Sequence, residues 1–168
     1  MKSIKKIAIA VLALGFVAMT QVFAAKAPTV VATFVGEVEE EETVGDMTLT
    51  FYSDKTFVVH IYLEGDMDMG EDMGTLTMKM DADAMAGTYK GEPKKDGKIT
   101  LTITKTSSED FNEETSLKVL SAMMSGEAIE LTNEDMPLVD LPKKEWEKQD
   151  AEIKDNQILI DGIPLDRK

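Results

Sequence analysis

The segment from Met47 to Tyr52, MTLTFY, alternates apolar and polar side chains without a break. After the short turn Ser53-Asp54-Lys55 the pattern resumes in Thr56 to Leu63, TFVVHIYL. Successive side chains of an extended chain point to opposite faces. Met47, Leu49 and Phe51 therefore share one face, and Phe57, Val59, Ile61 and Leu63 share one face of the next strand, with Val58, His60 and Tyr62 opposite. Two such runs joined by a tight turn predict an antiparallel hairpin with a single buried face. A chain built around this unit is constrained to sheets that cover that face.

The same signal recurs along the chain. Val30 to Val38 is rich in β-branched residues and runs into the acidic stretch Glu39 to Glu42, which reads as a solvated loop. Thr75 to Asp81 places Leu76, Met78 and Met80 on one face. Ala86 to Glu92 and Lys98 to Lys105 flank Pro93 to Gly97, where Gly97 suits the close of a short hairpin loop, and Ile99, Leu101 and Ile103 then face a core. The period changes once, between Ser107 and Gly126. Ser107 with Asp110 resembles a capping box, acidic residues occupy the first turn, and Leu117, Leu120 and Met124 recur at helical spacing, which predicts one amphipathic helix. Glu127 to Thr132 reads as a short strand, Asn133 to Gln149 as a Pro-punctuated connection with a helical turn after Pro142, and Gln157 to Ile160 as a closing strand followed by the turn Asp161-Gly162. About eight strands, one helix and no βαβ alternation predict a mainly β fold, a single antiparallel up-and-down barrel.

Residues 1–24 read as a secretory signal peptide: Lys2, Lys5 and Lys6 precede an apolar run from Ile7 to Met19, with Val22 and Ala24 at the −3 and −1 positions of a cleavage site before Ala25. That run is short against the ~20 residues that span a bilayer. The expectation is an exported domain over residues 25–168, periplasmic or extracellular, with no stable membrane insertion after cleavage. Composition narrows the function further. The chain has no cysteine and a formal charge of −14, which excludes a disulfide scaffold and is the wrong sign for gripping nucleic acid.

The stretches MTLTFYSDKTFVVHIY, AGTYKGEPKKDGKITLTITK and QILIDGIPLDR resemble the small lipocalin-like (calycin-like) β-barrel domains exported by bacteria. The Gly-x-Trp signature of animal lipocalins is absent from the first strand. The resemblance implies an eight-stranded barrel whose open end holds a small, usually apolar molecule. In this chain Phe51, Phe57, Val59 and Ile61, with Met78 and Met80, are the residues expected to line such a site.

Two constellations suggest metals. Gly65 to Met85 contains six methionines, Met67, Met69, Met73, Met78, Met80 and Met85. Thioether sulfur selects Cu(I), and Met67 and Met69, with Met73 and a nitrogen from His60, would form a copper site. Met78 and Met80 share a face with Leu76 and also fit as adaptable core or pocket lining. Asp66, Asp68 and Asp72, interleaved with glycines, offer at most a weak calcium loop, because the EF-hand spacing is broken at Gly70 and Thr77. Hydrolytic chemistry has no support: there is one histidine, no cysteine and no Gly-x-Ser-x-Gly elbow. Trp146 reads as a cap on a barrel end or a partner contact. The sequence thus predicts a non-enzymatic barrel for a small apolar or amphipathic ligand, with a copper protein and an envelope interaction module as competing readings.

Overall fold

The computed structural model describes residues 27–40, 43–68, 75–108, 112–160 and 162–168. Its strands are β1 (Val30–Glu40), β2 (Thr43–Tyr52), β3 (Thr56–Asp68), β4 (Thr75–Lys90), β5 (Gly97–Ser107), β6 (Ile129–Thr132), β7 (Leu138–Asp140), β8 (Glu147–Lys154), β9 (Gln157–Ile160) and β10 (Ile163–Arg167). One α-helix among the described residues, α1 (Glu113–Ser125), lies between β5 and β6, and a single 3-10 turn (Lys143–Glu145) precedes β8.

Eight strands close on themselves in the order β1-β2-β3-β4-β5-β8-β9-β10, every neighbouring pair antiparallel, with β10 returning to β1. This is the up-and-down barrel that alternation and short turns require, and closure leaves no long open edge. The two remaining strands are additions: β6 runs parallel to β4 at Met78–Asp81, and β7 pairs with β5 at Lys105–Ser107.

Several strands depart from the sequence expectation: β7 lies in the stretch read as a connection, and β10, not Gln157–Ile160, closes the barrel on β1. Thr75 to Asp81 and Ala86 to Glu92 read as separate strands because their apolar residues fall on opposite parities. They form one strand, β4, in which Val59 pairs with Met85 and the next residue, His60, pairs with Asp83. Ala84 is the extra residue of a bulge, which brings Leu76, Met78, Met80 and Ala82 onto the same face as Met85 and Tyr89. Conversely β8, EKQDAEIK, lies partly in the stretch read as a connection, because its inward residues Gln149, Ala151 and Ile153 include one polar and one small side chain.

The hairpin turns assign the barrel two ends. At one end lie the β2–β3, β4–β5 and β8–β9 turns, the start of β1 and the finish of β10. The inward residues nearest this end are fully buried: Phe34, Leu49, Phe51, Phe57, Val59 and Leu165 expose nothing, and Tyr89, Ile99, Leu101, Ile153, Ile158 and Ile160 almost nothing. Phe51 stands at the centre, with ring centroids 6.0 Å from Phe34, 6.4 Å from Phe57 and 4.8 Å from Tyr89. The end is tied shut from outside. The Tyr89 hydroxyl donates to the Tyr52 carbonyl at 2.9 Å, the Lys55 ammonium sits 5.0 Å above the Tyr89 ring, and the Arg167 guanidinium lies 5.3 Å from the Phe34 ring while donating to Asn156 at 2.7 Å.

A second, smaller core forms beyond the other end. Val119, Ala122 and Met123 of α1 pack on Leu76 and Met78 of β4 and Ile129 and Leu131 of β6, with Met136 beside them. The helix is capped by Asn112, whose side chain accepts from the Thr115 N–H at 2.8 Å, rather than by Ser107. Gly126 ends it in the left-handed conformation, φ 70°, as its position in the sequence predicts.

Asp135 fastens the helix to β6. Its carboxylate accepts from Lys118 Nζ at 2.8 Å, from the Thr132 N–H at 3.0 Å, and from the Thr115 and Thr132 hydroxyls at 3.3 Å. Partial burial raises the pKa of this carboxyl, but the hydrogen bonds from Lys118 and Thr132 outweigh it and hold the group below the usual carboxylate range. A lowered folded value contributes stability above the unfolded Asp pKa, about 3.9, and loses it as pH falls through the folded value. Asp135→Asn is expected to cost about 1–2 kcal/mol at neutral pH. In urea melts against pH, the gap between the two proteins should close as pH falls below about 4. A gap independent of pH would show that the carboxylate charge contributes nothing.

Candidate binding site at the open end of the barrel

Moving from the packed end along each strand, the next inward residues are half-buried instead of buried: Met47 on β2, Ile61 on β3, Met85 on β4, Ile103 on β5, Ala151 on β8 and Ile163 on β10. Each packs on the core below and shows its other side to the open end, so they form an apolar ring above an aromatic floor. Beyond the ring, Val38, Leu63 and Met80 continue the lining, also half-buried. They share its face because Leu63 pairs with Met80 and Ile61 with Ala82.

The helix overhangs this opening. Leu76 and Met78, on which it packs, belong to the same alternating set as Ala82, the partner of Ile61, so α1 lies on the barrel-interior side of the sheet. Its contacting residues, Thr115, Val119 and Ala122, occupy one face. Leu117, Leu120 and Met124 fall on the opposite face at helical spacing, 59%, 51% and 82% exposed. The apolar stripe read from the sequence is therefore real but turned away from the sheet, on which Val119, Ala122 and Met123 pack instead. An apolar ring above a sealed floor makes a shallow hydrophobic cup.

The predicted ligand residues divide accordingly. Phe51, Phe57 and Val59 have no accessible surface and form the floor. Ile61 belongs to the ring, Met80 to the lining above it, and Met78 packs beneath α1. Sequence alternation marks all six as inward but carries no depth. Met47, Met85, Ile103 and Ala151 were missed as site residues, although alternation places Met47 and Ile103 inward; Met85 comes inward only through the bulge at Ala84.

His60 points outward. Its Nε2 lies 2.9 Å from Asp81 Oδ1 and its Nδ1 3.0 Å from Asp83 Oδ1, and Asn133 accepts from the Asp83 N–H at 2.7 Å. Both ring nitrogens thus face carboxylates on either side. Position 67 is seven residues further along continuous strand β3, about 23 Å of chain, so the structure does not bring His60 and Met67 together. Met69 and Met73 lie outside the described residues, as does Asp72. Asp66 and Asp68 fall within β3 rather than a loop, and Asp66 accepts from the Thr77 hydroxyl at 2.7 Å across the hairpin. Among the described residues no group of three His, Cys, Asp or Glu side chains is placed to hold a metal ion.

Elsewhere, a surface depression of about 230 Å³ opens beside the β8–β9 turn, lined by Glu152, Lys154, Asp155, Gln157, Ile158, Leu159 and Pro164. Its mixture of charges and an exposed Leu159 gives it no focused chemistry. Trp146 is 42% exposed, and its indole N–H donates to the Leu141 carbonyl at 2.9 Å, within the β7–β8 connection. No family model matches the chain, and neither the curated proteins nor the solved structures compared with it give a match.

Proposed function

We propose that the protein is an exported, non-enzymatic binding barrel of lipocalin-like type that takes a small apolar or amphipathic ligand at its open end. The observation that carries this reading is the half-buried apolar ring of Met47, Ile61, Met85, Ile103, Ala151 and Ile163 at the end of the barrel away from the aromatic floor, with an exposed apolar stripe, Leu117, Leu120 and Met124, on the helix beyond it. Contiguous apolar surface left in water marks a place where something binds. The signal-like segment at residues 1–24 supports export.

The sealed floor sets the binding mode. A ligand rests on Ile61 and Met85 and under α1, without passing the Phe51 cluster. Each methylene removed from water is worth about 0.8 kcal/mol, so eight of them supply about 6 kcal/mol before the costs of association. Methionine lining suits ligands of variable shape, since the unbranched thioether adapts to irregular surfaces.

A titration with a neutral solvatochromic dye, displaced by dodecanol, tests the reading. The expected result is saturation at one site per chain. Leu120→Gln with Met124→Gln should weaken binding by about tenfold. Because both side chains are exposed, these substitutions should change stability by no more than about 0.5 kcal/mol. Uptake that does not saturate, or that ignores the double substitution, would overturn the assignment.

A further inference from the structure

We infer that Met78, Met123 and Met136 form an oxidation site. Two-electron oxidants, hypochlorous acid or hydrogen peroxide, convert these thioethers to sulfoxides, and the sulfoxides release α1 from the sheet while the barrel itself stays folded. This chemistry needs no bound ligand and is separate from the binding proposed for the cup.

Sulfur is distributed unevenly through the fold. Among the described residues no methionine is fully buried, and the buried core of the closed end is built from aliphatic and aromatic side chains alone. Met78 on β4, Met123 on α1 and Met136 in the β6–β7 connection instead pack, half-buried, on the buried set Leu76, Ala122, Ile129 and Leu131. With Val119 they complete the small core that joins the helix to the sheet. Its outer layer is therefore largely thioether, drawn from separate elements and partly open to solvent. The chain has no cysteine, so no thiol competes for the oxidant.

In the step itself each sulfur takes up one oxygen atom. With hypochlorous acid an S–O bond forms and the O–Cl bond breaks; sulfur loses two electrons, chlorine gains them, and chloride and a proton leave. With hydrogen peroxide the O–O bond breaks and water leaves. The product is polar where the thioether was a flexible apolar side chain. Its oxygen needs water or a hydrogen-bond donor, which an apolar seat between helix and sheet does not supply, so the oxidised chain favours the state in which these side chains reach solvent. Met124 separates exposure from effect: it is 82% exposed on the outer side of α1, so its oxidation leaves the packing unchanged. The buried core of the closed end offers no sulfur to oxidise and keeps the barrel together.

The test treats the full chain with a small molar excess of hypochlorous acid, locates sulfoxides by peptide mass spectrometry and follows amide exchange. The expected result is one added oxygen on each of Met78, Met123 and Met136, with exchange in α1 and β6 about tenfold faster and exchange in β2, β3 and β5 unchanged. Met78→Leu with Met123→Leu and Met136→Leu, which keeps apolar side chains of similar size, should hold α1 in place after the same treatment. That variant retains Met47, Met80, Met85 and Met124, so release of α1 in it would assign the effect elsewhere and overturn the proposal. The parent chain gives a test that does not depend on the variant folding: the two methionine sulfoxide reductases, one for each epimer, should restore the protection of α1 as the added oxygens are removed. Three unmodified methionines, sulfoxides with α1 still protected, or protection that stays lost after the sulfoxides are reduced would each overturn it.

Discussion

Phe51→Ala is expected to lower the stability of the domain by about 3–5 kcal/mol, a large share of the 5–15 kcal/mol typical of a folded domain. Phe51 exposes no surface and touches three other rings, with Tyr89 edge-on at 4.8 Å. Truncation removes its own burial and leaves a void between Phe34, Phe57 and Tyr89 that rigid strands on all sides cannot collapse to fill. The edge-to-face contacts add about 0.5–1.5 kcal/mol each beyond area. Urea unfolding should show a lower midpoint with an unchanged slope, and Phe51→Leu, which retains more of the volume, should lose less. A midpoint unmoved by Phe51→Ala would mean that the closed end is not packed, and the ligand would then have a route into the barrel.

Gly87→Ala is the second large effect. A methyl group at position 87 would stand 2.0 Å from the Thr102 carbonyl oxygen and 3.1 Å from the Ile103 Cα, both backbone atoms of β5. No rotamer change relieves that clash, so the β4–β5 ladder must separate where the register shifts between Ala86 and Gly87. The expected cost is about 3 kcal/mol, at the upper end for overpacking. Amide exchange should accelerate first in β5, next to the strained seam. Thr88→Ala, exposed on the neighbouring position, serves as the control and should stay within about 0.5 kcal/mol of the parent.

Much of the barrel was legible because alternation is a local property. The hairpin formed by β2 and β3, the strand that became β5 and the inward set Leu49, Phe51, Phe57, Val59 and Ile99 follow from a period of two and from turn residues. The errors have local causes too. A bulge at Ala84 changed the parity within one strand and made it resemble two. In β8, one small and one polar inward residue weakened a pattern that needs pairing with β5 to become visible. The cap moved to Asn112 because a side-chain acceptor at the helix start competes on geometry, which the spacing of Ser107 and Asp110 does not reveal.

The helix illustrates the same division most sharply. Its existence, its stop at Gly126 and its apolar stripe were present in the sequence. Which face it buried was decided by the sheet: β4 and β6 receive Val119, Ala122 and Met123, and this leaves Leu117, Leu120 and Met124 exposed.

By itself the sequence determined the mainly β class, the antiparallel connectivity, the acidic surface and the residues that point inward, since each depends on neighbours a few positions apart. Only the tertiary structure decided how deep each inward residue lies and which end of the barrel is sealed. Those properties depend on closure between β1 and β10 and between β5 and β8, contacts whose partners no local period can specify.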